Sequence, residues 1–172
     1  MHEKLENNLY ARYSDFFKQK NLTIQQSCMS WGICTGNGWY HIIDSLCYMV
    51  ESYLISLNSS NNWTLKQHCK LLFYKRWFTK PKLKHVTFEL AQVKEKFGTL
   101  RIYYNGGDQY IDGMVAMAER ISSRICDVCG QPGIVRNIND TTWLGTRCDE
   151  HKNTKIEHLS DELLIELVGG IK

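Results

Sequence analysis

Cys126-Asp-Val-Cys129-Gly130 and Cys148-Asp-Glu-His151 constrain this chain more than any other feature. Each pair of soft ligands is spaced by two residues, and residues 130–147 lie between the pairs. A Cys-x-x-Cys turn sets two thiolates on one side of a tight knuckle, and Gly130 lets the backbone turn beneath a metal. Cys148 and His151 close the other side of a tetrahedron. Three thiolates and one imidazole suit zinc in a closed, four-coordinate site. Catalytic zinc keeps one position for water, so this donor set reads as a structural staple rather than a reaction centre. The plain alternative is a group of buried free cysteines that share a region. If a metal does bind, its binding free energy becomes folding free energy.

Length and composition set the frame around that site. A chain of 172 residues makes one domain, or one domain with a small appendage. Hydrophobic residues reach 43%, enough for a core. No apolar run approaches the ~18 residues that a membrane span needs, so no membrane partner is expected. The start, from Met1 to Asn7, lacks the basic-then-apolar order of a secretory signal. Thiolate ligands and no export signal point to a reducing, cytoplasmic location. The remaining cysteines, Cys28, Cys34, Cys47 and Cys69, read as packing residues.

The net charge is only +3, too small to announce a nucleic-acid binder. Its distribution is uneven. Between Leu65 and Arg101 ten basic residues face only Glu89 and Glu95, a net +8, whereas Asp149 to Lys172 carries six acids and three lysines, a net −3. Such a chain has a directional field. The basic segment is either a solvated face or a seat for an anionic ligand.

Apolar periodicity predicts an α+β fold in which helices pack on a small antiparallel hairpin, with a C-terminal zinc ribbon. Leu5, Leu9, Tyr13, Phe16 and Phe17 predict a helix over 3–19. A second helix follows a boundary at Asn37 or Gly38, carries a stripe from Trp39 to Leu57, and breaks at Ser59 to Asn62. Leu65 to Trp77 predicts a third helix, ended by Pro81. Strands are predicted at Val86–Lys94 and Thr99–Tyr104, paired through Lys94-Glu-Lys-Phe-Gly98. Asp108 caps a helix through Arg124, and Ser160 caps a last short one. The expected divisions are a 1–124 helical and hairpin core, a 125–155 zinc ribbon and a 156–172 helix.

Several chemistries lack their signatures. The sequence has no phosphate-binding loop of the Gly-x-x-x-x-Gly-Lys type, no Gly-x-Ser-x-Gly and no His-Glu-x-x-His. A nucleobase deaminase would need His-x-Glu upstream of its cysteines, and none occurs. No catalytic residue is therefore assigned.

Two places could hold a phosphorylated ligand. The Gly36-Asn37-Gly38 turn opens a helix, where free N–H groups favour an anion. Trp31, Trp39 and Tyr40 surround it and could stack on a base; the competing reading is core packing. At the hairpin, Lys94, Lys96 and Arg101 cluster near the turn, with Tyr103 on the face of Arg101. Arginine beside an aromatic grips phosphate and base. The competing reading is a lysine-protected sheet edge. Trp63, Phe73, Tyr74, Trp77 and Phe78 add a mixed aromatic and cationic segment that could meet a partner chain.

Trp31-Gly-Ile-Cys-Thr-Gly-Asn-Gly-Trp39, Gln92-Val-Lys-Glu-Lys-Phe-Gly-Thr-Leu-Arg101, Cys126-Asp-Val-Cys129-Gly-Gln-Pro-Gly133, Trp143 and Thr146-Arg-Cys-Asp-Glu-His151 together resemble a family of small phage and prophage proteins. The resemblance spans roughly residues 25–151. Asn37 stands where the family carries Asp, and residues 58–84 form a longer connection. What the resemblance implies is a phage setting, in which compact proteins sequester nucleotide immune signals such as ADP-ribose derivatives. The leading expectation is then a non-enzymatic protein that binds a small phosphorylated nucleotide. Lys94, Lys96 and Arg101 would meet phosphate, Trp39 or Tyr103 would stack, and Asn37 would line the first turn. A nucleic-acid-binding module and an inhibitor of a host protein remain open, as does homo-oligomerisation.

Overall fold

The computed structural model describes residues 1–61, 86–139 and 141–154, with backbone alone at 58–61. Its elements are α1 (Glu3–Arg12), α2 (Tyr40–Asn61), β1 (Phe88–Lys96), β2 (Thr99–Gly106), α3 (Gln109–Ser122), β3 (Ile134–Asn137) and β4 (Leu144–Arg147). Short 3-10 turns lie at Lys18–Asn21, Cys28–Trp31 and Asn37–Trp39. Helices thus combine with two small antiparallel sheets, β1–β2 and β3–β4, which makes the fold α+β. The expected helices beginning near Leu65 and Ser160, and the aromatic segment around Trp77, lie outside the described residues. Among the described residues, no helix is long and apolar enough to cross a membrane.

The first helix is shorter than its periodicity predicts. Leu5 and Leu9 are buried on α1, but the helix stops at Arg12. Tyr13, Phe16 and Phe17 are nevertheless buried, on the turn that follows. Burial mimics helical spacing here because the chain turns to meet the sheet, where the Phe16 carbonyl accepts the Leu90 N–H at 2.8 Å. In the opposite direction, α2 continues to Asn61, through the serines expected to end it. Serine and asparagine are only moderately poor helix formers, and no glycine or proline intervenes.

A lone two-stranded hairpin is marginal in water. On the β1 edge, Cys34 N–H donates to the Val93 carbonyl and the Cys34 carbonyl accepts from Glu95 N–H, each at 2.9 Å. On the β2 edge, Leu100 N–H donates to Ser122 Oγ and Ile102 N–H donates to Glu119 Oε1, each at 2.9 Å. Helix side chains thus satisfy the outward donors of Leu100 and Ile102, which protects that stretch of the edge. Leu90, Val93, Leu100 and Ile102 share one buried cluster with residues of α1, α2 and α3, and β2 packs against α3. The strands turn at Phe97-Gly98, both with positive φ (53° and 77°), as a two-residue type I′ turn requires.

α3 begins as the sequence predicts. Asp108 Oδ1 accepts from the N–H groups of Tyr110 and Ile111, and Gly106-Gly107 ahead of it have φ of 83° and 84°. Two phenols fasten this helix to its neighbours. Tyr53 donates to Asp108 Oδ2 at 2.7 Å, and Tyr104 donates to Asp112 Oδ1 at 2.6 Å.

These bonds yield a pH prediction. Each phenol is pushed up to about 12, Tyr53 mainly by its bond to Asp108 and Tyr104 mainly by burial. An unfolded tyrosine titrates near ~10. A raised pKa favours the neutral phenol in the fold, so the contribution is complete below ~10 and is lost as pH climbs towards 12. Ultraviolet titration near pH 11 should find less phenolate in the native protein than in denaturant. Superimposable curves would contradict the two bonds.

Candidate functional site

The four soft donors converge as their spacing predicts. Cys126, Cys129, Cys148 and His151 lie with one donor atom each, all within 4.8 Å of one another. Cys129 Sγ and Cys148 Sγ are 3.9 Å apart, and His151 Nδ1 is 4.0 Å from Cys126 Sγ and 3.1 Å from Cys148 Sγ. A tetrahedral ion with metal–sulfur bonds of about 2.3 Å has sulfur–sulfur edges of about 3.8 Å. The cluster therefore fits a four-coordinate metal, with Nδ1 as the imidazole donor.

Local backbone builds each half. After α3 the chain enters the knuckle, where Gly130 N–H donates to the Cys126 carbonyl at 2.9 Å and Gly130 takes φ 77°. Cys126 N–H donates to the Gln131 carbonyl at 2.7 Å, closing the turn. β3 and β4 then carry the chain out and back, pairing Ile134 with Arg147 and Asn137 with Leu144, so that Cys148 emerges beside the knuckle. Burial pushes the Cys129 thiol up to about 12.

A buried ion pair joins the neighbours of two donors. Asp127, inside the knuckle, pairs with Arg147, which immediately precedes Cys148, and both side chains are buried. Burial drags the arginine pKa down, opposed by Cys126, Glu95 and Cys148. Asp127 N–H also donates to the Thr146 carbonyl at 3.0 Å, so the two ligand-bearing segments are joined by backbone and by charge.

The Gly36-Asn37-Gly38 turn has another task than cradling phosphate. A Cβ at Gly36 would overlap the Asp127 carbonyl, and one at Gly38 would overlap the Cys126 carbonyl and the Gly130 nitrogen. Gly38 N–H donates to the Asp127 carbonyl at 2.8 Å. The turn is the seat of the cysteine knuckle, and knuckle backbone fills the space an anion would need. Asn37 is buried, with its Oδ1 accepting His2 N–H at 2.7 Å. Trp39 is 0% exposed and donates through Nε1 to the Ile125 carbonyl at 2.8 Å. Neither residue can meet a ligand as expected, because the knuckle and the N-terminal helix enclose them. Tyr40 is buried as well, while Trp31 is exposed.

The hairpin residues fall together on the outer face. Lys94 and Arg101 are direct cross-strand partners, and Tyr103 opposite Gln92 shares that face. Lys96 is exposed at the end of the strand, with its Nζ 5.4 Å from the centre of the Phe97 ring. Like charges placed opposite each other cost stability. Arg101 lessens that cost by leaning to the sheet edge, where it donates to its neighbour's carbonyl at Leu100 and lies 3.8 Å from Glu119 Oε2. The outer face thus brings together Lys94, Lys96, Arg101 and Tyr103, and separates them from Trp39 and Asn37.

Asp127, Arg147, Gly36 and Gly38 escaped the sequence reading as supports of the four-donor cluster. Asp127 and Arg147 adjoin ligands, which is a signal, but their pairing needs β3 and β4 to be in register. Among the other cysteines, Cys47 packs in the core as expected, whereas Cys28 and Cys34 are exposed and Cys69 lies outside the described residues. No protein-family model, curated protein or solved structure matches the chain.

The ion pair supports a stability prediction. Asp127→Ala leaves Arg147 buried without its partner and should cost about 3–5 kcal/mol in denaturant unfolding. An effect below about 1 kcal/mol would mean that the pair is hydrated or broken in solution.

Proposed function

We propose that this chain is a non-enzymatic binding protein whose four-donor centre is a zinc-ribbon staple. Its ligand is a small phosphorylated nucleotide, met by the outer face of the β1–β2 hairpin. One observation carries the reading: Lys94 directly opposes Arg101 across the strand pair, with Tyr103 on the same face. A like-charge pair near the turn of a hairpin is an unfavourable arrangement that an anion would relieve. Tyr103, 45% exposed, offers a ring face beside it. Lys96 extends the positive strip towards the turn. Sequestration of an immune-signalling ADP-ribose derivative is the most specific form of this reading.

Zinc follows from the donor chemistry. Three thiolates select a soft or borderline ion, and a set of four protein donors leaves no position for substrate. Its function is then to hold the knuckle and the Cys148–His151 turn together. Elemental analysis of the purified protein should find one zinc per chain, and Cys148→Ser should abolish cobalt–thiolate absorption on cobalt substitution. Full-strength cobalt absorption in that variant would remove Cys148 from the ligand set.

Binding is tested by calorimetry with ADP-ribose and with AMP. Lys94→Ala should weaken binding about tenfold or more, since a hydrogen bond to a charged group contributes about 1.5–3 kcal/mol. Tyr103→Ala should weaken it while thermal unfolding stays unchanged. Equal affinity in parent and variants would refute the hairpin site. A response only to long nucleic acid, falling steeply with salt, would favour a nucleic-acid module instead.

A further inference from the structure

Phe97 stands where neither turn chemistry nor packing calls for a phenylalanine. It takes the first position of the two-residue β1–β2 turn, with φ 53°. That left-handed conformation suits glycine, asparagine or aspartate, and a bulky side chain is strained there. Burial does not compensate, since Phe97 is 71% exposed and lies outside the buried cluster. Such strain is characteristic of residues that meet a ligand.

The ring lies on the basic side of the hairpin. Gln92, Lys94 and Lys96 alternate onto the outer face of β1, and the Lys96 ammonium stands 5.4 Å from the centre of the Phe97 ring. Tyr103, 45% exposed, lies towards the other end of that face, opposite Gln92. From Gln92 to Phe97 the chain advances about 16 Å. Between the two aromatic residues stand Lys94, Lys96 and Arg101, with Arg101 directly opposite Lys94.

We infer that this face takes a dinucleotide, with one base stacked on Phe97, the other on Tyr103, and the bridging diphosphate over the cations between. The inference rests on the reading of the hairpin face as a nucleotide site, and it names the substrate class. Every base has a π-face, so two aromatic platforms accept two bases whatever their hydrogen-bond pattern. The phosphates of a dinucleotide fall between its nucleosides, as the cations fall between the rings. A mononucleotide reaches one ring and leaves the other bare. Lys96 serves both parts, polarised towards the ring and charged towards the phosphate.

Calorimetry on the full chain with diadenosine diphosphate and with AMP tests this. The parent should bind the dinucleotide about tenfold or more tighter than AMP, because a second base is stacked. Phe97→Asn should remove most of that advantage, whereas AMP, which can use Tyr103, should lose no more than about twofold. Phe97→Trp should keep the advantage. Phe97→Asn should also raise the thermal midpoint, because asparagine enters the turn with less strain. Loss of binding with a gain of stability is a result that a merely structural phenylalanine does not give.

Dinucleotide affinity that is equal in parent and Phe97→Asn, or no tighter than that of AMP, overturns the inference. If Lys94→Ala still weakens AMP in that case, the hairpin site stands without its second base. Earlier unfolding of Phe97→Asn also overturns it, since Phe97 would then serve the fold. Failure of both nucleotides to bind, or to respond to Lys94→Ala, overturns the site itself and the inference with it.

Discussion

The close approach of two glycines to the cysteine knuckle is the contact on which the rest of the structure depends. Gly36 and Gly38 lie so near the backbone of Cys126, Asp127 and Gly130 that no side chain fits between. The contact is between backbones, and it is directional because Gly38 N–H donates to the Asp127 carbonyl. On one side of this turn, His2 is tied to Asn37 at the start of α1. On the other, Trp39 leads into α2 and reaches back to Ile125. A metal held by these four donors would therefore also fix where both helices begin. Coupling of this kind makes metal binding part of folding for a larger unit than the metal loop.

The same coupling sets the position of the basic face. The tip of the β1–β2 hairpin lies against β3–β4, where Thr146 donates through Oγ1 to the Gly98 carbonyl and Glu95 accepts Gly98 N–H. Thr146 also shares a backbone bond with the knuckle, through Asp127. Lys94 and Arg101 thus stand on a hairpin held at its edges by Cys34, Ser122 and Glu119, and at its tip by the β3–β4 sheet. Such support turns a marginal pair of strands into a rigid platform. The hairpin face is a platform rather than a cleft.

The parts legible in sequence were those with short-range chemistry. Cys126, Cys129, Cys148 and His151 announced themselves by spacing, because a knuckle is a local structure. Asp108 announced a helix by capping it, and Gly98 a hairpin by allowing positive φ. The parts that were not legible depend on what meets what across the fold. Phe16 and Phe17 continued the apolar period of α1, yet they reach the core from a turn, since burial alone does not distinguish helix from loop. Gly36 and Gly38 gave the signature of an anion-binding helix entrance. Only the tertiary contact with Cys126 and Asp127 shows that a backbone occupies that space. Trp39 was ambiguous for the same reason, as an aromatic beside a glycine turn suits either a ligand or a core.

Unfolding of the cobalt-loaded protein in denaturant tests this account most directly. Two signals should be followed together: cobalt–thiolate absorption, which reports the knuckle, and amide circular dichroism at 222 nm, which reports α1, α2 and α3. If the glycine seat joins knuckle and helices into one unit, the two transitions coincide in midpoint and slope. Loss of the cobalt signal at a lower denaturant concentration, with the helices intact, would contradict it.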